Sequence, residues 1–265
     1  MRFRLQISTI MQNNMIKKIA VMAAVGFFWL GVWQVAYYGV GRDLLLASPL
    51  NVFKRIGELV VTGEFWLIIG TSFYRIMSGF ILGLLVGAAL GMITAKWRPV
   101  YQLVQLPMNI IKATPVASFV ILALIWISGK NLSVFIAFLM VLPMVWSSVD
   151  QGLKSADPQL LEAAKTYRLS RLQTARAVYV PAVLPYFLSV SRVAVGFAWK
   201  SGIAGEVIAI PKDSIGTQLY DAKVYLETTD LFAWTVVIVV MSVLIEKLFT
   251  LLIEVAAKKW GGAEK

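Results

Sequence analysis

Long apolar windows fall at 19–38, 66–92, 103–128, 132–149, 183–209 and 231–256, separated by more polar stretches. At about 1.5 Å of rise per residue, each is long enough as helix to cross, or nearly cross, the ~30 Å hydrocarbon layer of a bilayer. The pattern therefore predicts an all-α integral membrane protein, a bundle of six spans. The third window is the irregular one, because Pro107, Lys112 and Pro115 interrupt it and the apolar run after Pro115 is short. A break at that depth needs protein or a wet cavity to satisfy the freed backbone groups. In the second window Gly79, Gly83, Gly87 and Gly91 recur every four residues, which places them on one helix face open to close helix packing.

Residues 160–187, which begin within the turn at 150–182, are the least membrane-like long stretch. Asp157 followed by Pro158 gives an N-cap and first turn. Leu160, Leu161, Ala164 and Tyr167 can then line one side of a short helix that carries Glu162, Lys165 and Arg168. A second helical piece follows in RLQTARAVYV, before Pro181 and Pro185 redirect the chain into the fifth span. This segment is too long for a minimal turn and too charged for lipid, and it suits docking into a groove on a soluble partner. The stretch 208–230, with Asp213, Asp221, Glu227 and Asp230, reads as a solvated loop or as a surface large enough to meet an external protein.

Composition agrees with the pattern. The 265 residues are 59% hydrophobic and 15% charged, with a mean hydropathy of +0.76, more apolar surface than one water-soluble core needs. The net charge of +11 gathers at span ends. Arg2, Arg4, Lys17, Lys18, Lys96, Arg98, Lys154, Lys165, Arg168, Arg171, Arg176, Lys258, Lys259 and Lys265 belong to the ends and turns that share one side, whereas only Arg42, Lys54, Arg55, Lys130, Lys212 and Lys223 belong to the other. This bias predicts that both termini are cytoplasmic, and it accounts for the charge without a nucleic-acid partner. Lys17 and Lys18 precede the first window as in a signal peptide, but its length and the lack of a small-x-small site before Gly41 favour a retained span. The expected organisation is a cytoplasmic tail over 1–18, a transmembrane domain over 19–258 with its cytoplasmic loop at 150–182, and a second tail over 259–265.

Cysteine and histidine are both absent, which removes thiol chemistry, the usual metal ligands and a histidine base. Neither a clustered His, Asp or Glu site nor a metal site is expected, so an enzyme is disfavoured; no acidic residue is expected clearly mid-span, which argues against coupling to an ion or proton. Arg75 and Arg192 each lie roughly 13 Å along a helix from its nearer end, so both should face protein, water or a passing solute, or pair structurally. Lys112, Thr114 and Ser118 flank the Pro115 break, and Lys200 and Glu206 sit farther outward on the fifth span. All seven are candidate pathway-lining or structural polar residues. An ion-coupled secondary transporter is the rival class.

The 160–187 stretch resembles the cytoplasmic EAA loop of type I ABC importer permeases, the inner-membrane subunits of binding-protein-dependent transport. Glu162, Ala163 and Ala164 match its opening, and Leu184 and Pro185 its close. Arg168 stands where that family usually has Gly, and a non-Gly residue at positive φ is uncommon. TSFYRIMSGFILGLLVGAALG, with Thr71, Arg75 and the four glycines, resembles the family's second span. KATPVAS, residues 112 to 118, resembles its R-P-I-P-x-x-A stretch. FAWKSGIAGEVIA, continuing to Ile215 and Gly216, is similar to the nitrate, sulfonate and taurine branch. The likeness covers roughly 65–250.

The resemblance implies a six-span permease in a bacterial inner membrane, and no enzyme. A second copy, in a homodimer, would complete the pathway. Two cytoplasmic ATPase subunits would carry ATP and Mg, and an extracytoplasmic binding protein would deliver a small sulfonate, taurine or nitrate-like anion. Related permeases pass thiamine-precursor-like or flavin-like solutes, which stands as the alternative. Leu160, Leu161, Glu162, Ala163, Ala164, Tyr167 and Arg168 would couple to the ATPase. No G-x-x-x-x-G-K-[ST] phosphate loop occurs in the chain, as expected if ATP is bound elsewhere.

Overall fold

The computed structural model describes residues 2–261 and is helical throughout, without strands among those residues. The chain forms two compact units: residues 1–61 with 222–233, and residues 62–221 with 234–265.

In the first unit α1 (Arg2–Val40) leads through a short turn to α2 (Pro49–Val60). α1 starts well before the apolar window, and the part from Ala20 to Val40 buries nothing. Its polar ends are tied locally: the Trp33 indole donates to the Ala47 carbonyl at 3.1 Å and the Tyr37 hydroxyl to Asp43 at 2.7 Å. Ser48 caps α2 by accepting from the Asn51 amide. Arg55 forks onto Asp230 through Nε at 2.7 Å and a terminal nitrogen at 2.8 Å. Hydrogen bonds to Asp230, and secondarily to Glu58, hold the Arg55 guanidinium above the ordinary arginine pKa despite partial burial.

The second unit is organised around α6 (Gly129–Lys154), which is far more buried than the other apolar helices, at 67% of its most apolar window. α3 (Gly63–Lys96) lies along it, and the reason is the four-residue glycine period. A Cβ on Gly83 would stand 2.7 Å from the Val141 Cβ, one on Gly87 2.9 Å from Val145, and one on Gly91 2.8 Å from Val149. Gly79 lies against the Val134 carbonyl and Ala137. A glycine groove on one helix thus receives a ridge of small and β-branched residues on the other, close packing being the main attraction available between helices in lipid.

The third window is a bent pair. α4 (Arg98–Ala113) and α5 (Val116–Ala123) meet at 106° around Thr114 and Pro115, so the expected interruption is a sharp corner. Pro107 is accommodated inside α4. Both limbs lean on α6: Met108 packs with Leu142 and Trp146, and Val120 and Ala123 pack with Leu132, Ile136 and Met140. Counting that pair as one span gives six membrane-crossing elements among the described residues.

After α6 come α7 (Pro158–Thr166), α8 (Arg171–Thr174), a π-helical turn (Ala175–Tyr179) and α9 (Val180–Ala209). The entry to the fifth span differs from expectation. Pro181 and Pro185 do not redirect the chain, because the helix continues from Arg171 to Ala209. The π turn precedes both prolines, with the Val180 amide reaching five residues back to the Ala175 carbonyl. Residues 208–230 are likewise not a plain loop, since they contain α10 (Ile215–Val224) with Ser214 and Ile215 fully buried. α11 (Thr228–Gly261) closes the chain. Within this unit Trp199 donates to the Ile238 carbonyl, while Phe65 packs at a tilt on Trp234 and Phe80 meets Phe249 edge to face.

Candidate functional site

The candidate coupling segment is a short helix held at both ends by its own sequence. The Asp157 carboxylate accepts from the Gln159 amide at 2.8 Å and Pro158 occupies the first turn. At the far end the Leu169 amide bonds the Ala164 carbonyl at 2.9 Å while Arg168 sits at φ 52°. The bend after α7 is therefore made by an arginine in the left-handed region, where glycine would be easier. Ser170 and Gln173 then form a capping box that starts α8.

This geometry sorts the candidate coupling residues. Leu160 is 52% exposed and Tyr167 79%, with Glu162 and Arg168 exposed as well. Leu161 and Ala163 are half-buried. Ala164 is only 4% exposed, so its side chain packs within this chain. The link from α6 is short, residues 155–157, with Ala156 buried. Just before it the buried Asp150 pairs with Lys154 at 2.6 Å, and the Lys154 ammonium lies 4.6 Å from the Tyr101 ring centroid.

On the opposite side of the second unit a polar knot joins α3, α9 and α10. Glu206 is completely buried. One of its oxygens accepts from Ser72 at 2.8 Å and from the Gly216 amide at 3.3 Å. The Ser72 hydroxyl oxygen in turn accepts from the Ile215 amide at 2.9 Å. Both residues thus satisfy free amides at the start of α10, where a carboxylate is favoured. Gly216 is required by contact, since any Cβ there would overlap the backbone of Glu206 and Val207. Arg75 donates two hydrogen bonds to the Lys212 carbonyl, at 3.2 and 3.3 Å. They brace a turn that holds Ile210 at φ 48° and Asp213 at φ 54°. In this chain Arg75 and Glu206 therefore anchor the α9–α10 turn.

Arg192 and Lys200 behave differently. Both are exposed on α9, eight positions apart, with Gly196 between them. Against Gly196 lies the Glu246 carboxylate of α11, which also accepts from Ser242 at 3.3 Å. Neither cation forms an ion pair with it among the described residues. Glu246 lies well inside the Thr228–Val255 span, so an acidic residue does sit within a span, contrary to expectation. The signal was a lone acid in VIVVMSVLIEKLFTLL, which the adjacent Lys247 makes easy to dismiss as a local pair.

At the α4–α5 corner, Lys112 is exposed with its ammonium 5.9 Å from the Trp146 ring centroid. Thr114 turns its hydroxyl back to the Ile110 carbonyl at 2.8 Å, and Ser118 is exposed. No group of three or more metal-ligating side chains occurs among the described residues.

Residues 79–261 match the family model described as binding-protein-dependent transport system inner membrane component. A Bacillus subtilis permease whose name assigns it provisionally to aliphatic sulfonates transport is 25% identical over 234 residues, 87% of this chain and 84% of that one. The taurine transport system permease protein TauC of Escherichia coli is 25% identical over 236 residues, covering 86% and 84%. Among solved structures, the MetNI methionine ABC transporter in an inward-facing conformation superposes with a TM-score of 0.58 at 17% identity, over 72% of this chain and 96% of that one.

Proposed function

Because the chain belongs to the binding-protein-dependent transport system inner membrane component family, the permeases of type I ABC importers, we propose that it passes a small oxyanion. It is a multi-pass transport subunit and not an enzyme. The observation that carries the oxyanion reading is the company the chain keeps. Relatives named for aliphatic sulfonates, taurine, nitrate and bicarbonate align over most of its length. Arg192 and Lys200 support it physically: two exposed cations on one stripe of a span supply positive potential where solvent screening is weak. Glu246, packed against Gly196 of the same helix, tempers that potential, which favours passage over tight retention.

The architecture implies two permease subunits, two cytoplasmic ATPase subunits binding ATP and Mg, and an extracytoplasmic binding protein. In this reading two copies of the chain pair in a bacterial inner membrane, with both tails, 1–18 and 259–265, on the ATPase side. Leu160, Glu162, Ala163 and Tyr167 meet the ATPase. Movement of α7 passes to α6 through the three-residue link 155–157. α6 carries α9 with it, since Ser148 donates to the Tyr186 carbonyl at 3.0 Å and Gly152 abuts Val183. It carries α3 as well through the glycine groove. ATPase closure therefore turns α3, α6 and α9 as one body, and the bent α4–α5 pair rides on it through Met108 and Val120.

The test is the solute retained by the cognate binding protein after purification. A sulfonate, taurine, nitrate or a similar small oxyanion is expected; a neutral or cationic solute would defeat the anion reading and leave the family assignment standing.

A further inference from the structure

Two cavities join in the crevice between α3, α6 and α9, at the span ends nearest α7. The inner one, about 240 Å³, is walled by apolar side chains that include Ala88, Met92, Val149, Leu153, Val183 and Phe187. The outer one, about 650 Å³, shares Met92, Leu153, Ala175 and Tyr179 with it and is bordered by Lys96, Lys154 and Arg171. These three cations come from three elements: the last residue of α3, the last of α6 and the first of α8. Lys154 is neutralised by Asp150. Lys96, beside the Trp97 ring, and Arg171 form no ion pair among the described residues.

Depth sets the chemistry. Met92 and Ala88 lie one and two turns inward from Lys96, roughly 6 and 12 Å along the helix. The cations therefore stand at the level of lipid headgroups and the apolar cavity at the level of acyl chains. A free anion would leave the inner cavity unfilled, and a neutral hydrocarbon would leave two cations unpaired. The π-helical turn contributes Ala175 and Tyr179 to both cavities, and such turns recur at functional positions.

We propose that this crevice holds one anionic phospholipid of the leaflet on the α7 side, with its phosphate between Lys96 and Arg171 and one acyl chain in the cavity beneath. The site rests on the membrane placement of the chain and is independent of which solute is transported.

The test is native mass spectrometry of the intact transporter after washing with phosphatidylglycerol or phosphatidylcholine. The wild type should retain phosphatidylglycerol, one molecule per copy of this chain, in clear preference to phosphatidylcholine. K96Q together with R171Q should weaken that retention roughly thirtyfold, at about a tenfold loss for each 1.4 kcal/mol and about 1 kcal/mol for each basic residue. Ala88→Leu should displace the lipid without altering charge, with thermal unfolding confirming that the variant is folded. Equal retention of the two lipids, or retention unchanged in both variants, would overturn the proposal. So would displacement of the lipid by inorganic phosphate alone. The absence of cysteine allows a further check: Met92→Cys that cross-links readily between two copies would show a second permease, not lipid, covering the crevice.

Discussion

Glycine in a membrane helix is informative only where something fills the space it leaves. Gly70 and Gly83 lie on the same helix, yet a Cβ on Gly70 would meet nothing within 4 Å while one on Gly83 would stand 2.7 Å from Val141. Gly70→Ala should raise stability by about 0.5–1 kcal/mol through the lost backbone freedom of glycine, and Gly83→Ala should lower it by about 1–3 kcal/mol through overpacking. Thermal unfolding of the detergent-purified protein reads both, and equal effects would mean that the α3–α6 seam is looser than described. Arg168 makes the opposite case, a side chain where glycine would be easier. Its left-handed backbone costs about 1–2 kcal/mol, so Arg168→Gly should slow hydrogen exchange at the Ala164–Leu169 turn and leave ATPase association intact. Glu206→Ala removes the acceptor shared by Ser72 and the Gly216 amide. A loss of about 1–3 kcal/mol is expected, with faster amide exchange at the start of α10, whereas Glu206→Gln should keep most of the protection.

At the scale of elements, α7 is the part whose surface and interior sides the sequence did not separate. Leu160, Leu161, Ala164 and Tyr167 share an apolar stripe by spacing alone, but the structure turns Ala164 inward and leaves Leu160 and Tyr167 outside. Leu160→Asp with Tyr167→Asp should therefore abolish co-purification of the ATPase subunits while the permease unfolds at its usual temperature. Ala164→Leu should instead lower that temperature by overfilling a buried site. The reverse pattern would show Ala164 to be the docking residue. The apolar windows, the corner at Pro115 and the glycine face were legible because each rests on local rules: helix period, proline's missing donor and the four-residue repeat. α10 was not legible, because its amides are satisfied by Glu206 and Ser72 from distant parts of the chain, which no local pattern records. The continuous entry to α9 was hidden for a related reason, since the π turn changes the hydrogen-bond register just before two prolines that on their own argue for a break.

For the molecule as a whole, the second unit has its own buried core around α6, while the apolar part of α1 covers none of itself. An apolar helix of this kind suits lipid, and in the proposed reading two copies of the chain form the pathway. Native mass measurement of the purified assembly should find two identical permease chains with two ATPase subunits; two different membrane subunits would contradict the pairing. The central claim, that this chain moves solute by coupling to ATP hydrolysis on a separate subunit, is tested most directly in proteoliposomes holding the permease, its ATPase subunits and solute-loaded binding protein. Uptake should require ATP and the ATPase subunits, rise with the loaded binding protein, and persist when ion gradients are collapsed. Uptake that proceeds without the ATPase subunits and stops when the ion gradients are collapsed would contradict it.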